Sequence, residues 1–294
     1  MTQSADLRGA LPAPLAFIGG GNMAQALIGG LLASGADPTQ LRVSDPSPAC
    51  RAVLADLGPL ALFEDNAAAV VDAQVVVLAV KPQVLGPLLE ALAPTLHAAH
   101  KPPLLLSIAA GIDCASLLHW GQGAPVVRAM PNTPALLRSG STALFATAAV
   151  SAAQREQAEA VMAMAGSTYW LETEAALAAV TAASGSGPAY FFRLMECMID
   201  AAVKQGLAPS LARALVTETA LGAARMATQK GADPAALRAA VTSPGGTTAA
   251  ALAAFEAGAF PALVETAMAA AAQRAESLAQ ELGAEACRKQ GDQA

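Results

Sequence analysis

The sequence is short of charged and aromatic residues. Of its 294 residues only 14% are charged and 4% aromatic, whereas 54% are hydrophobic. This balance excludes intrinsic disorder, because so apolar a chain buries enough surface to offset the entropy lost on ordering. A run of about 20 apolar residues, which a membrane-spanning helix needs, is also missing, since Asp72, Lys81 and Glu265 interrupt the apolar stretches. We therefore expect a soluble protein without a membrane partner.

Basic runs and metal-binding spacings are absent too. The 17 Lys and Arg residues are scattered and the net charge is −6, whereas nucleic acids bind to clustered basic residues. His97, His100 and His119 show no spacing to one another or to cysteines that is typical of a metal site. The sequence therefore predicts neither a nucleic-acid partner nor a bound metal.

The four cysteines lie far apart, without a CxxC spacing. A disulfide framework is typical of short secreted chains, so we expect reduced thiols. Residues 1–14 lack the charged start and the apolar core of a signal peptide. These observations predict a cytoplasmic protein.

Two parts of the chain follow different hydrophobic patterns. In the first, short runs rich in Val, Leu and Ile alternate with helical patterns, and the runs are predicted strands: 15–18, 41–44, 75–80, 104–108 and 126–129. This alternation predicts a parallel sheet with helices on both faces. Later only helical spacing remains, over 174–183, 189–206, 210–230, 234–241, 248–255 and 260–283. We predict an α/β domain over 14–172 and an all-helical domain over 173–284. A disordered tail is predicted for 1–13 and a flexible tail for 285–294.

A glycine-rich turn joins the first predicted strand to the first predicted helix. Gly19, Gly21 and Ala24 form a G-x-G-x-x-A pattern. In this pattern the first glycine permits a tight turn, the second lets a pyrophosphate approach the backbone, and the alanine keeps the helix close to the sheet. The helix start offers free N–H groups to phosphates, and the strand and helix around the turn argue against a glycine turn without a ligand. The α/β domain is therefore predicted to be a Rossmann-type dinucleotide-binding domain.

The second predicted strand ends in Ser44 and Asp45, with Arg51 shortly beyond. An acid at this position accepts hydrogen bonds from the ribose 2′-OH of NAD, whereas NADP needs a cation or a hydroxyl for its 2′-phosphate. Ser44 and Arg51 form a phosphate pocket only if Asp45 turns away, and the segment is equally consistent with a turn and a helix cap. The sequence therefore predicts NADPH or NADH without deciding between them.

Small or polar residues follow three further predicted strands. Lys81 is either a catalytic amine or a solvated loop cation, and the second interpretation is favoured. The small residues of 107–111 and 128–134 would let a flat nicotinamide lie on the backbone, and Asn132 or Thr133 is a candidate to bind its carboxamide. A packing turn is the alternative for each of these segments.

Two unusual turns interrupt the helical half, at 184–187 and at 243–248. Breaks of this kind expose unpaired N–H groups that hold a small anion such as a carboxylate. The alternative for each turn is a helix-capping linker. Obvious acid–base residues are scarce, and this favours reduction of a C=N bond, because a protonated imine becomes neutral on accepting hydride whereas a carbonyl needs a donor.

Taken together, the segments 17–24, 80–83, 107–111, 128–135, 184–190 and 243–248 resemble those of pyrroline-5-carboxylate reductases. The resemblance implies an oxidoreductase that reduces the C=N bond of 1-pyrroline-5-carboxylate to L-proline with NAD(P)H, the last step of proline biosynthesis. It also implies a Rossmann domain and a helical domain that forms a homodimer, in many relatives stacked into larger rings such as a decamer.

The resemblance places site residues by position. Thr248 is implied as the catalytic residue, because similar enzymes hydrogen-bond the pyrroline nitrogen with a hydroxyl there. The residues implied around the substrate are Glu174, Ser184, Gly185, Ser186, Gly187, Gly245, Gly246, Thr247 and Thr248. Those implied around the cofactor, besides Asn132, are Ile18, Gly19, Gly20, Gly21, Asn22, Met23, Ala24, Ser44, Asp45, Asn66, Ala79, Val80, Lys81, Pro82, Ile108, Ala109 and Ala110.

The chain departs from many relatives at Asp45, which leaves the NADPH preference open, and at Ala178 and Ala240, whose side-chain contacts do not transfer. A second interpretation is a dehydrogenase of the 3-hydroxyacid or 6-phosphogluconate type. Those enzymes carry a catalytic lysine just after the glycine break, and residues 188–193 contain none. A third is a nucleotide-binding scaffold without turnover.

Overall fold

The computed structural model describes residues 11–98 and 101–291, with side chains as far as residue 281. Within these residues eight strands form one sheet. They are β1 (Leu15–Ile18), β2 (Leu41–Ser44), β3 (Ala61–Phe63), β4 (Val75–Leu78), β5 (Leu104–Ser107), β6 (Val126–Met130), β7 (Gly140–Ala146) and β8 (Gly166–Trp170). Most of the disordered tail predicted for 1–13 lies outside the described residues.

The strand order is β3-β2-β1-β4-β5-β6-β7-β8. Every neighbouring pair is parallel except β6 and β7, which are antiparallel. The chain reverses its direction across the sheet between β1 and β4, and ligands of doubly wound sheets bind outside the carboxyl ends of the strands at such a point. The predicted fold class, a Rossmann-type parallel sheet followed by helices, is confirmed.

Three strands escape the sequence prediction because they are very short or contain polar residues. In β3 all three residues are half-buried, and β8 at the far edge alternates between half-buried and exposed positions. The third, β7, carries serine and threonine and pairs antiparallel with β6. Such strands lack the continuous apolar run of a buried central strand.

Helices cover both faces of the sheet. They are α1 (Asn22–Ala33), α2 (Pro48–Ala55), α3 (Asn66–Val70), α4 (Pro82–Ala98), α5 (Cys114–Trp120), α6 (Ala152–Ala163) and α7 (Ala176–Val180). Because side chains alternate along a strand, neighbouring residues enter different cores. Phe17 and Val77 pack with Leu27 of α1 on one face, whereas Ile18 and Leu78 lie in the cluster on the other.

After α7 the chain passes through a π-type turn, Thr181–Gly185, into five further helices. These are α8 (Gly187–Lys204), α9 (Pro209–Ala227), α10 (Pro234–Ala240), α11 (Thr247–Ala257) and α12 (Phe260–Gly291). The last helix runs into the segment 285–294, for which the sequence predicts a flexible tail.

Internal packing divides the chain into two compact units, residues 1–185 with 271–294 and residues 186–270. We call them the sheet unit and the helical unit. The boundary drawn from sequence at residue 172 stays a prediction. No single helix among the described residues is both long and apolar enough to cross a membrane, although α11 and the part of α12 up to Glu281 meet that test as a bent pair.

Candidate dinucleotide and substrate site

The turn after β1 has room only for glycine at its first position. Gly19 has φ +96°, and a Cβ there would lie 2.7 Å from the carbonyl oxygen of Ala79. The Gly19 N–H donates to the Ser44 carbonyl oxygen, and the Ala79 N–H donates to that of Ile18. The turn thus lies where the carboxyl ends of β1, β2 and β4 meet. The chain segments approach so closely there that no side chain fits, which explains why the sequence pattern has glycine at this position.

The start of α1 is open to an anion. Its N-cap residue Gly21 is exposed, no atom lies within 4 Å of the Cβ position, and no side chain caps the helix. By contrast, α2, α3 and α5 each begin with a side-chain cap, provided by Ser47, Asp65 and Asp113 respectively. An uncapped helix start with free N–H groups suits a phosphate, so the residues present fit the pyrophosphate of a dinucleotide.

The end of β2 carries a network of polar contacts. Asp45 accepts hydrogen bonds from the N–H groups of Gly20 and Ser47, each at 2.9 Å. Ser44 is buried, and its hydroxyl donates to Asn66 Oδ1 at 2.7 Å. Three predicted cofactor residues, Ser44, Asp45 and Asn66, are therefore fixed beside the glycine turn by contacts within the protein.

A cysteine that sequence reasoning did not single out completes this network. The Cys50 thiol donates to the Gly20 carbonyl oxygen at 3.0 Å. Burial, with a smaller contribution from Asp45, raises the pKa of Cys50. The thiol is thus held in its neutral form against the backbone of the glycine turn.

A cavity of about 540 Å³ opens within the sheet unit, beside the segments that follow β4 and β5. The residues that line it include Pro82, Gln83, Ala110, Gly111, Arg128 and Glu174. Pro82 and Ala110 belong to the predicted cofactor set, whereas Lys81 is exposed and does not line the cavity.

An ion pair that the sequence did not predict forms one wall of this cavity. The Arg128 guanidinium on β6 donates to Glu174 Oε1, which also accepts the N–H of Cys114 at 2.7 Å. Burial raises the pKa of the Cys114 thiol well above its ordinary value, and the charge of Glu174 raises it further. The available sequence signal was an arginine inside an otherwise apolar strand.

Asn132, one candidate for the nicotinamide carboxamide, holds protein segments together. Its Nδ2 donates to the carbonyl and the hydroxyl oxygens of Ser184, both at 3.2 Å, and its Oδ1 accepts the N–H of Ser141 at 2.9 Å. Next to it, a Cβ on Gly185 would lie 2.6 Å from Met130 Cε. The predicted substrate residues Ser184 and Gly185 thus pack closely against the end of β6.

The turn before α11 in the helical unit is a second helix start with a glycine N-cap and no side-chain cap. Gly245 has φ +71°, which glycine adopts without strain, and Gly246 is an N-cap without a side-chain hydrogen bond. A Cβ on Gly246 would lie 2.6 Å from Ser243 Oγ. The first N–H groups of α11 therefore have no side-chain acceptor, as at α1.

Thr247 and Thr248 differ from threonines inside helices. The hydroxyls of Thr217 in α9 and Thr266 in α12 donate to carbonyl oxygens four residues earlier. At the first positions of α11 that oxygen does not belong to the helix, and no hydrogen bond of either hydroxyl is found within the described residues. Thr247 is exposed and Thr248 half-buried, so both hydroxyls are available to a ligand.

The predicted cofactor residues all lie in the sheet unit. Ile18 and Ser44 end β1 and β2, Asn66 begins α3, and the others lie in segments that follow β1, β2, β4, β5 and β6. The predicted substrate residues fall in both units, with Glu174, Ser184 and Gly185 in the sheet unit and the others in the helical unit. Their roles stay predictions. No group of His, Cys, Asp and Glu that would hold a metal occurs in the part of the chain that the structure describes.

Comparisons with known proteins identify similar families and relatives. Residues 174–278 match the family model for pyrroline-5-carboxylate reductase dimerisation, and residues 14–111 match that for coenzyme F420-dependent NADP oxidoreductases. The pyrroline-5-carboxylate reductase of Pseudomonas aeruginosa is 55% identical over 271 residues, which cover 92% of this chain and 98% of that protein.

Two solved structures are similar over nearly the whole chain. The pyrroline-5-carboxylate reductase of Coxiella burnetii has a TM-score of 0.86 and 39% identity, covering 90% of this chain and 98% of that one. The enzyme of Plasmodium falciparum, solved with NADP bound, has a TM-score of 0.78 and 28% identity, covering 91% and 98%. This chain belongs to the pyrroline-5-carboxylate reductase family.

Proposed function

We propose that the chain reduces the C=N bond of 1-pyrroline-5-carboxylate to L-proline with NAD(P)H. The observation that carries the proposal is the pair of helix starts with glycine N-caps and no side-chain caps, at α1 and α11. One suits the pyrophosphate of a dinucleotide and the other the carboxylate of a small substrate. An enzyme of this family needs both.

Binding at α11 orients the substrate. The first N–H groups of the helix hold the carboxylate, and the Thr248 hydroxyl forms a hydrogen bond with the ring nitrogen. When bound, the reduced nicotinamide supplies the hydride that C5 of the ring accepts. The protonated imine becomes neutral as it accepts hydride, so the chain needs no strong acid at the nitrogen, and rate acceleration comes mainly from orientation and exclusion of water.

At the other helix start, the N–H groups of α1 that follow Gly21 would hold the pyrophosphate, and the segments after β2, β4 and β5 would line the rest of the cofactor. Asn132 acts on the cofactor site indirectly, because its amide donates a hydrogen bond to Ser184 and so fixes the segment that follows β6. The pair of Glu174 and Arg128 shapes the wall of the cavity beside these segments.

The active form is proposed to be a homodimer built through the helical unit, in a larger ring such as a decamer. Two observations support it: the match of residues 174–278 to a dimerisation model, and the exposed apolar side chains of α8 and α9, among them Phe191, Phe192 and Leu215. The cytoplasm is the proposed compartment, since Cys50 and Cys114 are free thiols.

Following NADPH and NADH absorbance with pyrroline-5-carboxylate, and separately with 3-hydroxyacids, tests the proposal. We expect oxidation of at least one cofactor by the pyrroline, whereas oxidation of neither would overturn the proposal.

A Thr248→Ala substitution tests the assigned hydroxyl. We expect kcat to fall about tenfold or more, because an interaction with the reacting nitrogen is lost, while cofactor affinity changes little. Thr217→Ala is the matched control, since that hydroxyl bonds only to carbonyl oxygens of its own helix. Unchanged turnover in Thr248→Ala would remove this residue from the mechanism.

A further inference from the structure

The carboxylate of Asp45 is fixed toward the glycine turn. Its Oδ2 accepts the N–H of Gly20 and its Oδ1 accepts the N–H of Ser47, both at 2.9 Å. A carboxylate has about four lone-pair sites, so each oxygen still has capacity to accept a ribose hydroxyl. The condition under which Ser44 and Arg51 would form a phosphate pocket, namely that Asp45 turns away, is not met.

The side-chain donors that a 2′-phosphate needs are already engaged. The Ser44 hydroxyl is buried and donates to Asn66 Oδ1. The Arg51 guanidinium donates to the carbonyl oxygen of Asp45 at 2.6 Å and pairs with Glu64 at 3.4 Å. A phosphate would have to draw both groups out of existing contacts.

Two backbone donors around the start of α2, the N–H groups of Ser47 and Cys50, are engaged as well. The Ser47 N–H donates to Asp45, and the Cys50 N–H donates to the Ser47 hydroxyl at 3.3 Å. Pro48 at the first helical position has no N–H to offer. The loop that follows β2 is therefore closed by its own hydrogen bonds.

The charges in this region also oppose a phosphate. Asp45 and Glu64 are carboxylates, and the one cation in the network, Arg51, contacts both residues. A phosphate monoester carries a charge of about −1.5 to −2 at neutral pH, and like charges at short range repel. A ribose 2′-OH, in contrast, donates to a carboxylate in a charge-assisted hydrogen bond.

We propose that Asp45 determines cofactor choice in this chain and that the chain prefers NADH to NADPH. The inference deepens the proposed function, on which it rests for the presence of a nicotinamide cofactor. Arg51 and Glu64 are positioning residues: the pair keeps the guanidinium away from an incoming phosphate.

Equilibrium binding of NADH and NADPH to the full chain, followed by nicotinamide fluorescence without pyrroline, tests the inference. We expect NADH to bind at least about tenfold more tightly, the effect of one charge-assisted hydrogen bond. Asp45→Asn should reduce this ratio by about tenfold or more. Asp56→Asn is the matched control, since it removes the same charge at the C-cap of α2, about 12 Å along the helix.

Glu64→Gln is an independent variant that leaves Asp45 and the glycine turn intact. Arg51 then keeps its hydrogen bond to the Asp45 carbonyl oxygen but loses its ionic partner and can pair with a 2′-phosphate, so NADPH should bind several-fold more tightly while NADH binding stays unchanged.

The outcomes separate this inference from the proposed function. Tighter binding of NADPH by the unmodified chain, or a ratio that Asp45→Asn leaves unchanged in a folded protein, would overturn the role of Asp45 and leave the proposed reductase activity standing. Binding of neither cofactor would overturn the proposed function itself. If Asp45→Asn does not fold, the ratio of NADH affinity to NADPH affinity, measured in the unmodified chain and in Glu64→Gln, tests the inference instead.

Discussion

The sheet unit and the helical unit bury their apolar side chains to very different extents. In the sheet unit large side chains are fully buried on both faces of the sheet, such as Phe17 and Leu106 on one face and Leu78 on the other. Among the described residues of the helical unit, the buried ones are Gly187, Ala212 and Val216, whereas Phe191 and Leu263 are each 64% exposed. The sheet unit has a core of its own, and the helical unit in one chain does not.

This difference indicates which apolar side chains of the sequence are buried within one chain and which are left for contact with another copy. Monomeric proteins rarely expose contiguous apolar patches beyond a few hundred Å², and a large apolar side chain contributes about 1.5–3 kcal/mol when it is fully buried. A family model for dimerisation covers these same helices. The core of the helical unit is therefore expected to form between two copies.

The largest expected effect comes from charging this exposed face. The double variant Phe191→Asp and Leu263→Asp places two carboxylates where a partner copy would pack. We expect dissociation to monomers and a loss of helical stability that depends on protein concentration. Sedimentation velocity and circular dichroism over a dilution series measure both.

Two controls sharpen this prediction. Val53→Asp on α2 replaces a side chain that is 49% exposed in the sheet unit, and it should leave the assembly intact. Leu106→Ala in the buried core should destabilise the sheet unit by about 2–5 kcal/mol at every protein concentration. A stable monomer of the unmodified chain at low concentration would contradict the conclusion that the helical unit lacks a core of its own within one chain.

The same comparison explains how much of the fold could be predicted from sequence. Central strands such as β4 and β5 are predictable because they are buried on both faces and therefore apolar throughout. Strand β8 is not, because its exposed positions weaken the pattern. In the helical unit the spacing predicts helices, but an apolar face looks the same whether it packs on its own chain or on another copy.

For the site, backbone constraints were predictable and long-range side-chain pairs were not. Gly19 follows from what the turn after β1 requires of the chain, and Gly21 from the room that a pyrophosphate needs at the backbone. The contact of Arg128 with Glu174 joins residues 46 positions apart, and no local pattern encodes it. The engagement of Arg51 with Glu64 is of the same kind, which is why the sequence alone left the cofactor open.

A smaller effect tests the polar contacts of the sheet unit. In Glu174→Gln the amide oxygen still accepts the Cys114 N–H, but the Arg128 side chain, only 14% exposed, loses its counter-charge. We expect destabilisation by about 1–3 kcal/mol, measured by chemical denaturation at fixed protein concentration. Glu276→Gln is the control, since Glu276 lines the same cavity on the exposed side of α12. Equal stability of the two variants would show that the ion pair contributes nothing to the sheet unit.

The smallest expected effect is a pH dependence that belongs to the core of the sheet unit. Burial, with the adjacent Glu174, holds the pKa of Cys114 well above its ordinary value, whereas an unfolded thiol titrates near pH ~8.5. Above that pH the unfolded chain has released the proton and the folded chain retains it. The unfolded state then binds fewer protons, so the free energy of unfolding falls as pH rises, by up to about 1.4 kcal/mol per pH unit.

Replacing Cys114 with alanine should remove this contribution. Denaturation curves at fixed protein concentration between pH ~8 and ~10 should fall less steeply for Cys114→Ala than for the unmodified chain, whatever the offset at neutral pH. The matched control is Cys197→Ala in the helical unit, because Cys197 is exposed and its removal leaves the sheet core unchanged. Parallel slopes for Cys114→Ala and the unmodified chain would mean that the thiol ionises in the folded protein. The core around Glu174 would then be more accessible to water than its packing indicates, and the two units would differ less than their burial suggests.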